Sequence, residues 1–274
     1  QLFLKKTPMK IAIIGTGNLG KSIAKGLIIK NAITSLYLTK RNLDSISEFE
    51  GYKNVFLTTN NTEAIQQSDI LIFAVQPAHF DKIIKEIKPF LTSKHVLIST
   101  ITGFSIRRVE EIIGNETFII RAMPNTAIAV GKSMTCLCSN EIGKQRIKIA
   151  EAIFNRLGHS ITIPEAQMQA ATVVCASGIA FWMRLIRATT QAAIQLGFDA
   201  KEAQELAMFT CDGAANLLIS NGNHPEEEID KVTTPKGCTI EGLNEMEHKG
   251  LSSSLIHGMV ASFNKINIIK KEQL

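Results

Sequence analysis

The 274-residue chain carries 30 Lys and Arg against 25 Asp and Glu, a formal charge of +5, and is 45% hydrophobic. This is a globular composition with material for a real core, long enough for one large domain or two ordinary ones. Aromatics make up only 6% and the basic residues are scattered, so no basic–aromatic stripe points to nucleic acid, and no apolar run approaches the length of a membrane span.

Residues Gln1–Pro8 include Lys5 and Lys6 but no apolar run or cleavage site. They read as a short extension before the first strand, not as a signal peptide. The first element is the run Ile11–Ile14, which leads into I-G-T-G-N-L-G at 14–20 and a helix over about 18–30. The glycine pattern thus sits between a strand and a helix, where dinucleotide chemistry needs it. Gly15 permits the tight turn, Gly17 lets a pyrophosphate approach the backbone, and Gly20 lets the helix pack on the strand. Ile14, Gly15, Thr16, Gly17, Asn18, Leu19 and Gly20 are therefore candidate cofactor contacts, with the helix dipole behind the phosphates.

Further strands are expected at Leu36–Thr39, Val55–Leu57, Ile70–Val75, Val96–Thr100, Phe118–Met123 and Ser133–Cys138, with helices at about 42–49, 79–90 and 105–113. This βαβ alternation predicts a mostly parallel sheet of the Rossmann type covered on both faces. The nearly all-apolar runs at 70–75 and 96–98 read as strands buried on both sides. The second strand ends in Thr39-Lys40-Arg41. It lacks the carboxylate that holds an NAD ribose and offers a hydroxyl and two cations, which suit a 2′-phosphate. NADP is favoured over NAD. The segment Ala74-Val75-Gln76-Pro77 ends the fourth strand, on the edge where open α/β sheets bind ligands. Asn61, read as lying in the loop before the next helix, is a candidate for the adenosine ribose.

Glu141–Leu157 reads as an amphipathic helix capped by Gly158. After Pro164 the chain becomes helical and alanine-rich. Asp199 is a good N-cap for a helix to about Ser220, residues 220–225 form a loop, and a last helix runs from near Thr239, with an interruption near Gly250, towards Ile269. The expected division is a dinucleotide-binding domain over 1–164 and an all-α dimerisation domain over 165–274. Long alanine-rich helices of this kind often bury one face on a second subunit. Phe181, Trp182 and Met183 fit core or interface there. The five cysteines include no C-x-x-C, and Cys136 and Cys138 share one face of a strand as small buried hydrophobes. The default compartment is the cytosol. The six histidines lack metal-ligand spacing, so no metal site is expected.

Four segments together are distinctive: I-G-T-G-N-L-G at 14–20, A-V-Q-P at 74–77, R-A-M-P-N-T at 121–126 and D-K-V-T-T-P-K-G-C-T-I at 230–240. In them the chain resembles pyrroline-5-carboxylate reductase, over Met9 to about Ile269. The resemblance implies hydride transfer from NAD(P)H to the C=N carbon of a cyclic imine carboxylate, giving proline. It implies self-association through the helical domain as a homodimer, and beyond that a decamer of dimers. Thr234, Gly237 and Thr239 are the matching substrate contacts, with Thr239 the candidate hydrogen-bond partner of the ring nitrogen. The loop's own chemistry agrees: hydroxyls and backbone N–H groups just before a helix make an anion site. The chain departs from the family at Gln76, where lysine is usual, at Lys236, where glycine is usual, and at Cys175–Phe181, where only Ser177, Gly178 and Ala180 of S-G-S-G-P-A-Y remain. Loss of that proline predicts a straightened or repacked helix. Lys236 is a candidate replacement for the charge missing at Gln76. Two alternatives follow: a related NADP-dependent imine reductase of different substrate, and a non-catalytic NADP(H)-binding redox sensor. Hydroxy-acid dehydrogenases of this shape carry a lysine on the long helix, and 165–196 contains none.

Overall fold

The computed structural model describes residues 9–31 and 33–272; Gln1–Pro8, expected as an extension, lie outside them. Strands β1 (Lys10–Ile14), β2 (Ser35–Thr39), β3 (Val55–Thr58), β4 (Ile70–Phe73), β5 (Val96–Ser99), β6 (Phe118–Met123), β7 (Ser133–Ser139) and β8 (Gly158–Thr162) form one sheet. Its order is β3-β2-β1-β4-β5-β6-β7-β8. All neighbours are parallel except β6 and β7, which run antiparallel with Met123 opposite Cys136. Strand alternation divides β1 between two cores. Ile11 and Ile13 join one cluster with Leu27, Phe49 and Phe154, while Ala12 and Ile14 join the other with Phe73 and Phe80. Every residue of β4 and β5 is buried, as strands covered on both faces require.

The helices around the sheet are α1 (Asn18–Ile29), α2 (Asn61–Gln66), α3 (Pro77–Ile87), α4 (Ile106–Ile113), α5 (Ile147–Phe154) and α6 (Met168–Ala171). The expected helix at 42–49 is a 3-10 turn over Asp44–Phe49. Helix α2 was not expected; at six residues it is too short for a periodic pattern, and Asn60 caps it by accepting from the amides of Thr62 and Glu63. Asn61 therefore opens a helix instead of lying in a loop. The expected helix over 141–157 is divided into a 3-10 turn, Ile142–Arg146, and α5. Gly158 is not its cap. It begins β8, which the sequence reading missed because an edge strand with exposed His159, Ile161 and Thr162 shows no clean alternation.

The chain divides into two compact units, Gln1–Ala176 and Ser177–Leu274; the composition break lies earlier, at Pro164. The second unit contains α7 (Gly178–Gln195), α8 (Ala200–Asn221), α9 (Pro225–Val232), α10 (Cys238–His248) and α11 (Leu251–Glu272). Helices α7 and α8 pack together, and Asp199 caps α8 in a capping box with Glu202. The unexpected α9 is a mostly polar helix with Pro225 at its first position and Glu226–Glu228 in its first turn. Both hydrophobic clusters lie wholly in the first unit. In the second, Trp182, Met183, Phe209 and Ile219 are all more than half exposed.

Residues Thr172–Ser177 form a π-helical turn just ahead of α7, and Ile179, at the position of the family proline, lies in the first turn of α7. The helical residues Glu165–Gln195 are also long and apolar enough to cross a membrane by length and composition, with a mean hydropathy of 1.4 in the best window. This corrects the expectation that no run approaches such a length. Scattered Thr, Gln and Arg break the apolar run, and its many Val, Ile, Ala and Met residues keep the average high despite them.

Candidate functional site

A cleft of about 630 Å³ opens at the carboxyl ends of β1, β2 and β4, where the strand order reverses. Its floor is the glycine loop. Gly15 has φ +92°, and a Cβ there would stand 2.3 Å from Val75 Cγ1. A Cβ on Gly20 would stand 2.6 Å from the Gly15 carbonyl oxygen, so this residue lets α1 close on the loop. At Gly17 a Cβ would meet nothing within 4 Å. Packing therefore does not demand glycine at Gly17, and a side chain there would take up cleft space. Gly17 is also the N-cap of α1 and supplies no side-chain acceptor, so the first amides of that helix remain available to an anion. Thr16 lines the cleft, and its Oγ1 is buried without a hydrogen-bond partner. Buried hydroxyls are ordinarily paired, so this atom suits a polar ligand.

Of the expected cofactor residues, Ile14, Gly15, Thr16 and Gly17 line the cleft, as do Thr39, Lys40, Arg41 and Asn61. Ala74, Val75 and Gln76 complete the set. Asn18, Leu19 and Gly20 form the first turn of α1. Pro77 is the first residue of α3, where its missing N–H costs nothing. Thr39 also braces the loop. It is buried, and its Oγ1 accepts the Gly15 amide at 3.2 Å while its carbonyl accepts the Thr16 amide at 2.9 Å. The β2 end thus fixes the glycine loop. Arg41 is exposed, and among the described residues neither it nor Lys40 is in an ion pair.

Sequence reasoning missed the opposite wall. His79, Lys82, Ile83 and Glu86 of α3 all face the cleft, together with Asn42 and Thr59. The spacing i, i+3, i+4, i+7 was there to be read, but only the fold shows that this face meets the glycine loop and not solvent.

The segment at 121–126 acts on the scaffold. Arg121, with its side chain 10% exposed, donates to Glu165 Oε1 at 2.8 Å, and the same oxygen accepts the Ile106 amide at 2.7 Å. Asn125 Oδ1 accepts the Ala127 amide and Asn125 Nδ2 donates to the Cys175 carbonyl at 3.1 Å. Both polar residues thereby bind the 165–176 stretch to the sheet.

In the second unit, Thr234–Gly237 form a reverse turn closed by the Gly237 amide donating to the Thr234 carbonyl at 2.9 Å. Lys236, its third residue, has φ +58°, the left-handed conformation that a type II turn reserves for glycine. Gly237 is the N-cap of α10, again without a side-chain cap, and Thr239 is exposed in that helix's first turn. The turn brings Thr234, Gly237 and Thr239 to one uncapped helix start.

Residues 165–268 match the pyrroline-5-carboxylate reductase dimerisation family, and residues 10–103 match the coenzyme F420-dependent NADP oxidoreductase family. The chain is 44% identical over 271 residues to pyrroline-5-carboxylate reductase 1 of Dictyostelium discoideum, covering 93% of this chain but only 49% of that protein. It is 40% identical to pyrroline-5-carboxylate reductase 2 of the same organism, covering 95% of this chain and 93% of that protein. Among solved structures, the NADP-bound pyrroline carboxylate reductase of Plasmodium falciparum superposes with a TM-score of 0.82 at 25% identity, covering 96% of this chain and 98% of that one.

Proposed function

The chain belongs to the pyrroline-5-carboxylate reductase family, and from that premise we propose that it reduces the C=N bond of 1-pyrroline-5-carboxylate to give L-proline, the last step of proline biosynthesis, as an NAD(P)H-dependent oxidoreductase of the CH–NH class. The observation that carries the reading is the turn at Thr234–Gly237 opening onto the uncapped start of α10. Backbone amides, a helix dipole and the Thr234 hydroxyl suit the substrate carboxylate. Thr239 hydrogen-bonds the ring nitrogen as its charge is lost.

The cleft of the first unit is the cofactor site in this reading. The first amides of α1 and Thr16 Oγ1 take the pyrophosphate region, Asn61 the adenosine ribose, and Lys40 and Arg41 the 2′-phosphate. NADPH is favoured and NADH is accepted. The bound nicotinamide supplies a hydride from its C4; the chain positions the imine carbon and excludes water.

The second unit self-associates. Its exposed Trp182, Met183, Phe209 and Ile219 support a homodimer in which a partner covers the apolar helix faces, and that cover also accounts for the exposed apolar residues of α7, the later part of the apolar stretch 165–195. A decamer of dimers, the cytosol as compartment and the absence of nucleic-acid and membrane partners belong to the same proposal. Five free cysteines support the compartment.

The test is NADPH oxidation with and without pyrroline-5-carboxylate, repeated with NADH. Turnover that depends on the imine is expected, faster with NADPH. The cation at Lys236 and the neutral Gln76 favour a second reading, a reductase of another cyclic imine. Turnover of such an imine without turnover of pyrroline-5-carboxylate selects it. Cofactor binding without turnover of any imine selects a redox sensor.

A further inference from the structure

Two thiols distant in sequence meet behind the Met123–Thr126 segment. Cys136 of β7 and Cys175 of the π-helical turn have their sulfurs 3.8 Å apart. Cys136 stands opposite Met123 in the β6–β7 pair, and the Cys175 carbonyl accepts from Asn125. The sulfur contact therefore joins the sheet, the 121–126 segment and the turn that precedes α7. Among the described residues no other two cysteine sulfurs are in hydrogen-bond contact.

We propose that Cys136 and Cys175 form a reversible disulfide which restrains the π-helical turn and slows the enzyme. The sulfurs must approach from 3.8 Å to about 2.05 Å, a movement of well under one helical turn's rise. The turn that must take it up is the π-helical segment Thr172–Ser177, a local departure from the α-helical bonding on either side of it. The two thiols are unequal. Either sulfur can donate in this contact; the hydrogen bond with Cys136 holds the Cys175 thiol below the usual value, and the same contact, then burial, push Cys136 up. Cys175 is half-buried and Cys136 buried, so a small oxidant reaches Cys175 first. With a hydroperoxide, the Cys175 thiolate attacks the peroxide oxygen and becomes a sulfenic acid, releasing hydroxide, or the corresponding alkoxide. The Cys136 sulfur then attacks the Cys175 sulfur, and the departing hydroxyl leaves as water with the Cys136 proton. Two thiols lose two electrons and the peroxide gains them. A thiol reductant reverses the bond by exchange.

The full chain, treated with hydrogen peroxide and digested without reduction, should yield one linked peptide pair containing Cys136 and Cys175, lighter by two hydrogens than the sum of its parts. Imine-dependent NADPH oxidation should fall severalfold and recover with dithiothreitol. Cys175→Ser and Cys136→Ala should each abolish both the linked pair and the reversible loss. The proposal is overturned if peroxide oxidises Cys238 while Cys136 and Cys175 stay unlinked, or if both variants lose activity to peroxide as the unaltered chain does. The slowing rests on the reductase reading, whereas the peptide map does not. A chain that forms the disulfide but reduces no imine would count against that reading and leave the bond established.

Discussion

Gly17→Ala and Gly20→Ala separate cofactor contact from packing within one loop. At Gly20 the new Cβ would lie 2.6 Å from the Gly15 carbonyl oxygen and 3.2 Å from Ile13 Cγ2, so α1 must move away from β1. Overpacking of that kind costs about 1–3 kcal/mol, less about 1 kcal/mol gained in helix propensity. Net destabilisation of up to about 2 kcal/mol lowers Tm by a few degrees in a protein of this size. At Gly17 the Cβ would meet nothing and φ is −80°, which alanine adopts without strain. A poorer N-cap, costing about 0.5–1 kcal/mol, is offset by about 0.4–1 kcal/mol from a less flexible unfolded chain. The Gly17 variant should therefore keep its Tm while its methyl occupies cleft space that the pyrophosphate needs. A rise in the NADPH Kd of tenfold or more is expected, which is about 1.4 kcal/mol. Calorimetry and fluorescence titration of both variants decide it. An unchanged Kd in Gly17→Ala, or a Tm loss matching that of Gly20→Ala, would refute the assignment.

Replacing Lys40 and Arg41 together by glutamate should raise the KM for NADPH at least tenfold and leave that for NADH nearly unchanged; equal shifts for both cofactors would remove the 2′-phosphate from these cations. Thr239→Ala should lower kcat/KM roughly 10–150-fold, from the loss of about 1.5–3 kcal/mol of hydrogen bonding to a charged group, with the NADPH Kd unaltered; unchanged steady-state kinetics would sink the role. Lys236→Gly should raise Tm by a degree or two, because relief of about 1–2 kcal/mol of left-handed strain outweighs about 0.5–1 kcal/mol of added chain entropy; a lower Tm would mean that the lysine side chain stabilises the turn. Glu48 binds Lys21 at 2.8 Å and Lys25 at 2.6 Å, and these ammonium groups hold its carboxyl down at about 2. A lowered pKa stabilises the fold above the unfolded carboxylate's titration and loses that effect as pH falls towards 2. The Tm advantage over Glu48→Gln should therefore be full near neutrality and vanish in strong acid, and an advantage independent of pH would contradict the pairing.

Features that rest on local chemistry were legible in the chain alone. The apolar runs of β1, β4 and β5, the glycine spacing of 14–20, the Asp199 cap and the turn residues of 233–239 each constrain only their near neighbours. Features that depend on distant pairing appeared only in the folded molecule. Strand β8 exists because β7 supplies its hydrogen bonds, not because Gly158–Thr162 has a strand pattern. The spacing of His79, Lys82, Ile83 and Glu86 was visible, but only the fold turns that face to the cleft. Arg121 reaches Glu165 across 44 positions and Cys136 meets Cys175 across 39. No periodicity links residues so far apart, because such contacts are fixed by how the sheet and its covering helices pack, and the chain between them leaves no trace of the distance it closes.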